Sequence, residues 1–178
     1  LGSNVNHYPL YLLMGIVTWN FFVTGSSRCM TVLSGNAALL KSLPIKIEIL
    51  LISAVLYTFI THVFELIMFG LFMYWYQVTP GYIALYFIVL FIGFIFTLGV
   101  GFFLSSLYVL MRDVEQIWSV LTRAWWFATP IFYVPTPGGR GEYISQFNPL
   151  YYMVHLPREL LIYHRIPPIS AFAVFTAS

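Results

Sequence analysis

Two ionisable side chains, His62 and Glu65, lie inside a long apolar run and are the best placed of any in this sequence to do chemistry. Their spacing of three puts both side chains on one face of a helix. Glu65 lies about 16 residues, or ~24 Å, into the predicted helix. An ionisable group at that depth in an apolar medium costs several kcal/mol unless it has a partner, so it is a functional candidate. We therefore predict that His62 and Glu65 pair and face either the helix bundle or a water-filled pathway.

The remaining residues argue against several kinds of chemistry. His62 and Glu65 supply two potential metal ligands, but nothing nearby completes a metal site. The single cysteine, Cys29, excludes an intramolecular disulfide and a cysteine-based metal cage. No Walker A glycine loop occurs, which excludes ATP hydrolysis by the P-loop route, and no Ser-His-Asp order or close carboxylate pair suggests a hydrolase. The net charge of +2 and the lack of a basic run exclude nucleic-acid binding.

The composition shows which kind of element must position these side chains. The chain is 60% hydrophobic and 20% aromatic but only 8% charged. Soluble domains carry roughly a quarter charged residues, so this chain could not cover a water-facing surface. The sequence therefore predicts a single all-α transmembrane domain over residues 1–178, built as a multi-pass helical bundle.

Apolar runs and their boundary residues predict four membrane spans. The second run ends in an aromatic cluster, Tyr74 to Tyr76, of the kind expected at the headgroup boundary. The last apolar run has only about half of the ~20 residues that cross a bilayer, so it predicts the start of another span. Because the chain also begins without a methionine, we expect a fragment of a longer protein. The predicted spans are 8–32, 49–76, 82–110 and 117–133, with the start of another at 169–178.

A short polar hairpin between the third and fourth predicted spans holds Arg112, Asp113 and Glu115. A turn this short forces the two helices to run antiparallel as neighbours. Arg112 is placed to bond carbonyls left open where the third span ends, and Asp113 to cap open amides of the fourth. Each charge would also suit the dipole of its helix end. We expect this pair to lock the two spans together and not to act in catalysis.

A short amphipathic segment between the first two spans carries Lys41, Pro44, Lys46 and Glu48. The residues alone leave two interpretations open. The segment is either an interfacial anchor whose lysines snorkel to water, or a helix that docks in a cleft of a soluble partner. In the second case it would carry rigid-body motion of the partner to the two spans that it joins.

Small residues recur at every fourth position of the third predicted span. Such a ridge lets helix backbones approach closely in lipid. We expect the ridge to pack within one subunit, and a seam between two copies is the less favoured alternative. The ridge consists of Gly93, Thr97, Gly101 and Ser105.

Four stretches, in order along the chain, resemble a single protein family. The stretch 105–133 closes one apolar helix, passes through Arg-Asp and opens another that finishes on Pro-Ile-Phe-Tyr. The same family's motifs are similar to YPLYLLMGIVTWNFF at 8–22, NAALLKSLPIK at 36–46 and FNPLYYMVHLPREL at 147–160. The family is the membrane subunit of ABC transporters that export polysaccharides, namely the O-antigen, teichoic acid and capsule exporters.

This resemblance implies the setting and the partners of the chain. It implies a homodimer in the bacterial plasma membrane with two copies of a nucleotide-binding subunit, which uses ATP and Mg²⁺ while this chain binds no cofactor. The substrate would be a polysaccharide on a polyprenyl-diphosphate lipid, moved outward. The loop with Lys41, as a coupling helix, and the hairpin with Arg112 would face the cytoplasm. The family's first span and most of its last have no counterpart here.

The resemblance also gives a place to residues outside the predicted spans. Asn148, Pro149 and Arg158 would belong to short outer re-entrant helices. A polysaccharide substrate further suggests a conduit, because sugar rings stack on aromatic faces. The aromatic residues that are candidates to line it are Tyr8, Tyr11, Trp19 and Phe22.

Two rival functions stay open. One is an exporter of the same superfamily that moves a small lipophilic compound, and the other is a membrane-embedded enzyme that acts on lipid-linked sugars. The resemblance implies a transporter subunit and not an enzyme, with ATP hydrolysed by a separate nucleotide-binding subunit. An ATPase gene flanked by glycosyltransferase genes would separate the three.

Overall fold

The computed structural model describes residues 7–132, 148–168 and Ala171, and the elements bounded within those ranges are all α-helices. The predicted all-helical fold is therefore confirmed. The helices are α1 (Tyr8–Gly35), α2 (Ala37–Ser42), α3 (Ile47–Trp75), α4 (Ile83–Leu110), α5 (Val114–Ala128) and α6 (Pro149–Leu161).

Three of the helices, α1, α3 and α4, are long and apolar enough to cross a membrane, with 28, 29 and 28 residues. Each is therefore ~42 Å long, which exceeds the ~30 Å thickness of a hydrocarbon core. Their bounds lie within about three residues of the first three predicted spans, which is close to the usual uncertainty of helix ends. The span start predicted at 169–178 falls outside the described residues except for Ala171.

Helix α5 is shorter than the span predicted at 117–133. It begins at Val114 and ends at Ala128, 15 residues in all, or ~22 Å. The helix ends there because Pro130 pushes the residue before it out of the helical region. Thr129 accordingly has an extended backbone, with φ −93° and ψ 130°. The last residue of the predicted span lies outside the described ranges.

Helix α1 is the centre of the bundle and contacts α3, α4, α5 and α6. Its close approach to α4 depends on small residues. A Cβ added to Gly25 would come within 2.8 Å of the Thr97 side chain, and one added to Gly101 within 2.7 Å of Cys29. All four residues of the small-residue ridge are buried. The ridge therefore packs inside this chain, as predicted.

Helix contacts show which loops share an end of the bundle. Helix α3 runs antiparallel to α1, since Cys29 lies near the Leu51 carbonyl at the start of α3 while Phe21 packs on His62 further along. Helix α4 runs parallel to α1, because Gly25 faces Thr97 while Cys29, one turn later on α1, faces Gly101, one turn later on α4. The segment with α2 and the hairpin after α4 consequently lie at the same end, which we name the α2 end.

Helix α6 lies at the opposite end, against the turn between α3 and α4. The amide of Gly81 donates to the Leu161 carbonyl at 3.2 Å, and the amide of Tyr82 donates to the Leu160 carbonyl at 3.1 Å. A side chain at Gly81 would collide with the Leu160 carbonyl oxygen, so this approach requires glycine. We name this the α6 end.

Candidate functional site

The predicted pair of ionisable residues is present on α3. His62 Nδ1 lies 3.3 Å from Glu65 Oε2, within reach of a hydrogen bond. His62 is only 2% exposed, and its ring centre lies 4.8 Å from that of Phe21 on α1. The Glu65 side chain, in contrast, is 37% exposed. The pair therefore joins the interior of the bundle to its surface.

Beside this pair, a cavity of about 40 Å³ lies between α1 and α3, large enough for water. Its α1 side carries Asn20, Thr24 and Arg28, which are spaced one turn apart and are all exposed. Its α3 side carries Thr61 and Glu65. These five residues are named the α1–α3 cleft below.

The cleft combines several kinds of polar group. Arg28 Cζ lies 4.6 Å from the centre of the Tyr57 ring, in range of a cation–π interaction. Within the described ranges, the ion pairs found do not include Arg28, and no group of three or more His, Cys, Asp or Glu could hold a metal ion. The cleft thus offers a cation, a carboxylate, an amide and hydroxyls to a polar ligand.

Arg158 of α6 is buried, with 2% of its surface exposed. Its guanidinium donates to three backbone carbonyls: Nε to Tyr11 at 3.0 Å, Nη1 to Pro130 at 2.9 Å and Nη2 to Ile131 at 2.9 Å. Its Cζ also lies 3.6 Å from the centre of the Tyr11 ring. The planar fork of donors suits several acceptors at once. This group, the Arg158 anchor, ties α6 to α1 and to the chain that follows α5.

The Arg158 anchor depends on Gly15, one turn after Tyr11 on α1. A Cβ at Gly15 would collide with the guanidinium, and Ile131 Cγ2 would be only 3.2 Å away. Burial lowers the pKa of Arg158 to about 10, so the side chain stays charged at neutral pH. The charge lies at the carbonyl end of α5, where the helix dipole favours a cation.

Asn148 makes a second connection between α6 and the end of α5. Its Oδ1 accepts from the Leu150 amide at 3.0 Å and from Trp125 Nε1 at 3.1 Å, and its Nδ2 donates to Thr129 Oγ1 at 3.1 Å. Asn at the N-cap followed by Pro149 at the first helical position is a strong helix start. The structure therefore brings Asn148 and Arg158, ten residues apart in the sequence, to the same segment after α5.

The amphipathic segment that contains Lys41, Pro44, Lys46 and Glu48 forms parts of two helices in the structure. Helix α2 has only six residues and ends with the exposed Lys41 in its last turn. Leu43 then has an extended backbone, with φ −129° and ψ 141°, because it precedes Pro44. Lys46 is already the N-cap of α3, and Glu48 lies in the first turn of α3.

The hairpin joins α4 and α5, but the predicted capping by Asp113 is wrong. Asp113 is the N-cap residue, yet its side chain makes no capping bond and its backbone is helical (φ −66°, ψ −15°). A capping side chain usually accompanies an extended backbone at this position. In the described part of the chain, Arg112 and Asp113 form no ion pair either. The link is made by Glu115, whose Oε2 accepts from Tyr108 Oη at 3.0 Å.

The aromatic residues predicted to line a conduit lie mainly in the core. Tyr11, Trp19 and Phe22 are 4%, 5% and 1% exposed, and the last two pack against tryptophans of α5. Tyr8 is half-buried and donates to the Phe132 carbonyl at 3.0 Å. A ring enclosed by its own chain presents no face to a conduit. In this arrangement the prediction therefore does not hold for the three buried rings.

Sequence reasoning also missed residues that the structure brings to these sites. The polar wall of the cleft was detectable in the sequence, because polar residues at every fourth position of an apolar span lie on one helical face. These residues are Asn20, Thr24 and Arg28. Gly15 and Trp125 were not detectable in this way, because their partners, Arg158 and Asn148, are distant in the sequence.

Comparison of the sequence with known proteins finds relatives over most of the chain. An O-antigen export system permease protein RfbA from Myxococcus xanthus is 26% identical over 181 residues, which cover 97% of this chain and 69% of that protein. A protein of the same name from Klebsiella pneumoniae is 25% identical over 164 residues, 89% of this chain and 62% of that protein. The chain thus spans 62% to 69% of the length of these relatives.

The profile of one transporter family covers nearly all the helices described above. The profile of the ABC-2 type transporter family (ABC2_membrane) matches residues 2–162, and three helices of membrane-spanning length lie within that match. These findings confirm the resemblance that the sequence motifs indicated. By this match the chain belongs to the ABC-2 type transporter family, as a membrane subunit.

Proposed function

We propose that this chain is the membrane subunit of an ATP-driven exporter that moves lipid-linked polysaccharide outward across the bacterial plasma membrane. The observation that carries this proposal is the similarity, over 97% of the chain, to a permease named for O-antigen export. An O-antigen polysaccharide is therefore the substrate that we favour over teichoic acid or capsule. Three membrane-length helices around a buried centre supply a suitable scaffold.

A nucleotide-binding partner would attach at the α2 end, which would then face the cytoplasm. Lys41, Lys46 and Glu48 are exposed there, together with the apolar side chains of Leu39 and Leu43. A surface that mixes charge with exposed apolar groups suits a protein interface. Because α2 is joined to α1 through Asn36 and to α3 through residues 43–46, a displacement of α2 would reach both helices. ATP and Mg²⁺ would be used by two copies of that partner, bound to two copies of this chain.

Charge reversal tests this coupling surface. Surface ion pairs contribute ~0–1 kcal/mol each, so the double variant Lys41→Glu/Lys46→Glu should visibly reduce co-purification of the ATPase while the membrane subunit still inserts. The matched control is Arg165→Glu, an exposed arginine beyond α6, which should leave co-purification unchanged. Normal attachment and export by the double variant would show that the α2 end is not the docking surface.

Deletion of the gene in its own cells tests the function. We expect loss of surface polysaccharide and accumulation of the lipid-linked polymer inside the plasma membrane, both reversed by the full protein with its ATPase. Unchanged surface polysaccharide would overturn the proposal. A lipid-linked glycan of altered composition, still delivered to the surface, would instead indicate the membrane-embedded enzyme.

A further inference from the structure

The exposed face of α1 changes character halfway along the helix. Near its start the corresponding face is apolar and half-buried, with Ile16 one turn before Asn20. From Asn20 onward it is polar, continuing one turn at a time through Thr24 to Arg28, and Ser34 is exposed near the end of the helix. The polar half therefore runs from the middle of a membrane-length helix to the α2 end. Lipid tails cannot satisfy such side chains, so a polar group must meet them.

Arg28 is the residue of this face most suited to a ligand. It lies about seven residues, or ~10 Å, before the end of α1, which is close to the depth of lipid headgroups. Its aromatic contact with Tyr57 holds the guanidinium by one face and leaves its edge of N–H donors for another group. Guanidinium groups bind phosphate through two parallel hydrogen bonds.

The Glu65 carboxylate lies away from Arg28 along the cleft. Glu65 is about two turns, or ~12 Å, beyond Tyr57 on α3, and among the described residues its ion pair is with His62 and not with Arg28. Between the two charges, Thr24 and Thr61 supply hydroxyls on facing helices. An anionic group at Arg28 and a neutral, hydroxyl-rich group further along would match this order of charges.

The outer face of α3 completes the surface. Ile60, Phe64 and Ile67 are 53%, 65% and 56% exposed and follow each other along the helix beside the cleft. Such a face is solvated by hydrocarbon. A polar cleft with a cation, bordered by an apolar helix face, fits an amphiphile with an anionic head and a long hydrocarbon tail.

We propose that the exposed side chains of the α1–α3 cleft bind the diphosphate head of a polyprenyl-linked glycan on the surface of the bundle, outside the water-sized cavity. Arg28 is the phosphate ligand, and the tail lies along α3. This proposal rests on the proposed function and names where the lipid carrier of that substrate is held. Asn20 and Thr24 contact hydroxyl groups of the first sugar. The Glu65 carboxylate, held by His62, accepts hydrogen bonds from those hydroxyl groups.

Binding measurements on the purified complex with its ATPase, in phosphatidylcholine nanodiscs, test the phosphate contact. The probe is undecaprenyl diphosphate, with inorganic diphosphate as the soluble comparison. We expect Arg28→Gln to weaken lipid diphosphate binding by about tenfold or more, the loss of at least one charge-assisted contact. The matched control Arg123→Gln removes an exposed arginine of α5 that bonds only to Ser119 among the described residues, and should change binding less than about twofold.

Each outcome of this measurement decides the proposal. Equal binding by Arg28→Gln and Arg123→Gln would overturn it, as would inorganic diphosphate that binds as tightly as the lipid. The thermal transition of Arg28→Gln should match that of the native protein, which excludes misfolding as the cause. The assay measures lipid binding and does not depend on export. The site can therefore be confirmed even if the gene deletion contradicts the proposed function, and the site can be wrong even if the deletion supports that function.

Labelling distinguishes an open cleft from one covered by protein. A cysteine at Thr24 should react with a hydrophilic thiol reagent in the nanodisc complex and be protected by undecaprenyl diphosphate. A cysteine at Ile60 on the apolar face of α3 should not react. An unreactive Thr24→Cys would show that another protein segment fills the cleft, and the proposal would be wrong.

Discussion

Two arginines of this chain, Arg158 and Arg28, each lie over a tyrosine ring but in opposite surroundings. Arg158 is 2% exposed and donates to three carbonyls, whereas Arg28 is exposed at the edge of a cleft. A guanidinium whose donors are all taken up by backbone holds the fold, and one whose donors face open space is available to a ligand. The degree to which donors are occupied, and not the residue type, separates the two roles.

The largest expected effect is the loss of the Arg158 anchor. Arg158→Ala leaves carbonyls of Tyr11, Pro130 and Ile131 without their donor in a buried place, at ~1–3 kcal/mol each. We expect destabilisation of about 3 kcal/mol or more, seen as a lower thermal transition in detergent. Arg28→Ala is the matched control and should cost less than ~1 kcal/mol. Similar losses for both variants would remove the distinction between them.

A smaller effect should follow from crowding the anchor. Gly15→Ala places a methyl group against the Arg158 guanidinium and Ile131, and overpacking of this kind costs ~1–3 kcal/mol. Gly99→Ala is the control, because a Cβ at Gly99 meets nothing within 4 Å. In a helix interior that change should be neutral or stabilise by ~0.5–1 kcal/mol. If Gly15→Ala were as stable as Gly99→Ala, the guanidinium would not be held tightly.

On the cleft side, Glu65 should affect transport more than stability. Glu65→Leu removes the desolvation cost of a partly buried carboxylate. The free energy of unfolding should therefore stay the same or increase by up to ~1 kcal/mol, seen as an unchanged or higher thermal transition. Glu65→Gln keeps the shape and should also fold. Both should reduce export in the complementation assay. Full export by the Leu variant would show that Glu65 is a tolerated structural residue. Arg28 would then be the one charged residue of the cleft with a proposed role in transport.

The smallest effect is expected at the hairpin. The structure shows neither a capping bond from Asp113 nor an ion pair with Arg112 in the described chain. The exchange Arg112→Asp/Asp113→Arg should therefore change stability by less than ~0.5 kcal/mol, as for other surface positions. Glu115→Ala, which loses the bond to Tyr108, is the comparison and should cost more. A strongly destabilised exchange variant would restore the capping hypothesis.

Part of the α1–α3 cleft was predictable, because it depends on spacing within one helix. His62 and Glu65 were predicted as a pair from their separation of three, and the structure places them 3.3 Å apart. The opposite wall, with Asn20 and Arg28, needed the packing of α1 against α3. The conduit aromatics show the reverse error, since Trp19 and Phe22 have the right chemistry for a sugar but lie on the buried face of α1.

The sequence by itself located the three long helices α1, α3 and α4 in their order, because apolar run length acts locally along the chain. It predicted a fourth span where α5 has only 15 residues. It also determined the family, through motifs that keep their order. Tertiary structure alone decided which face of α1 is buried, that Asp113 makes no cap, and that Arg158 bonds the carbonyls of Tyr11, Pro130 and Ile131. The burial of α1 and the bonds of Arg158 depend on side chains that meet across helices distant in the chain, such as Arg158 and Pro130, which are 28 residues apart. The missing cap is instead set by the helical backbone of Asp113 itself. Sequence periodicity within one helix does not predict either outcome.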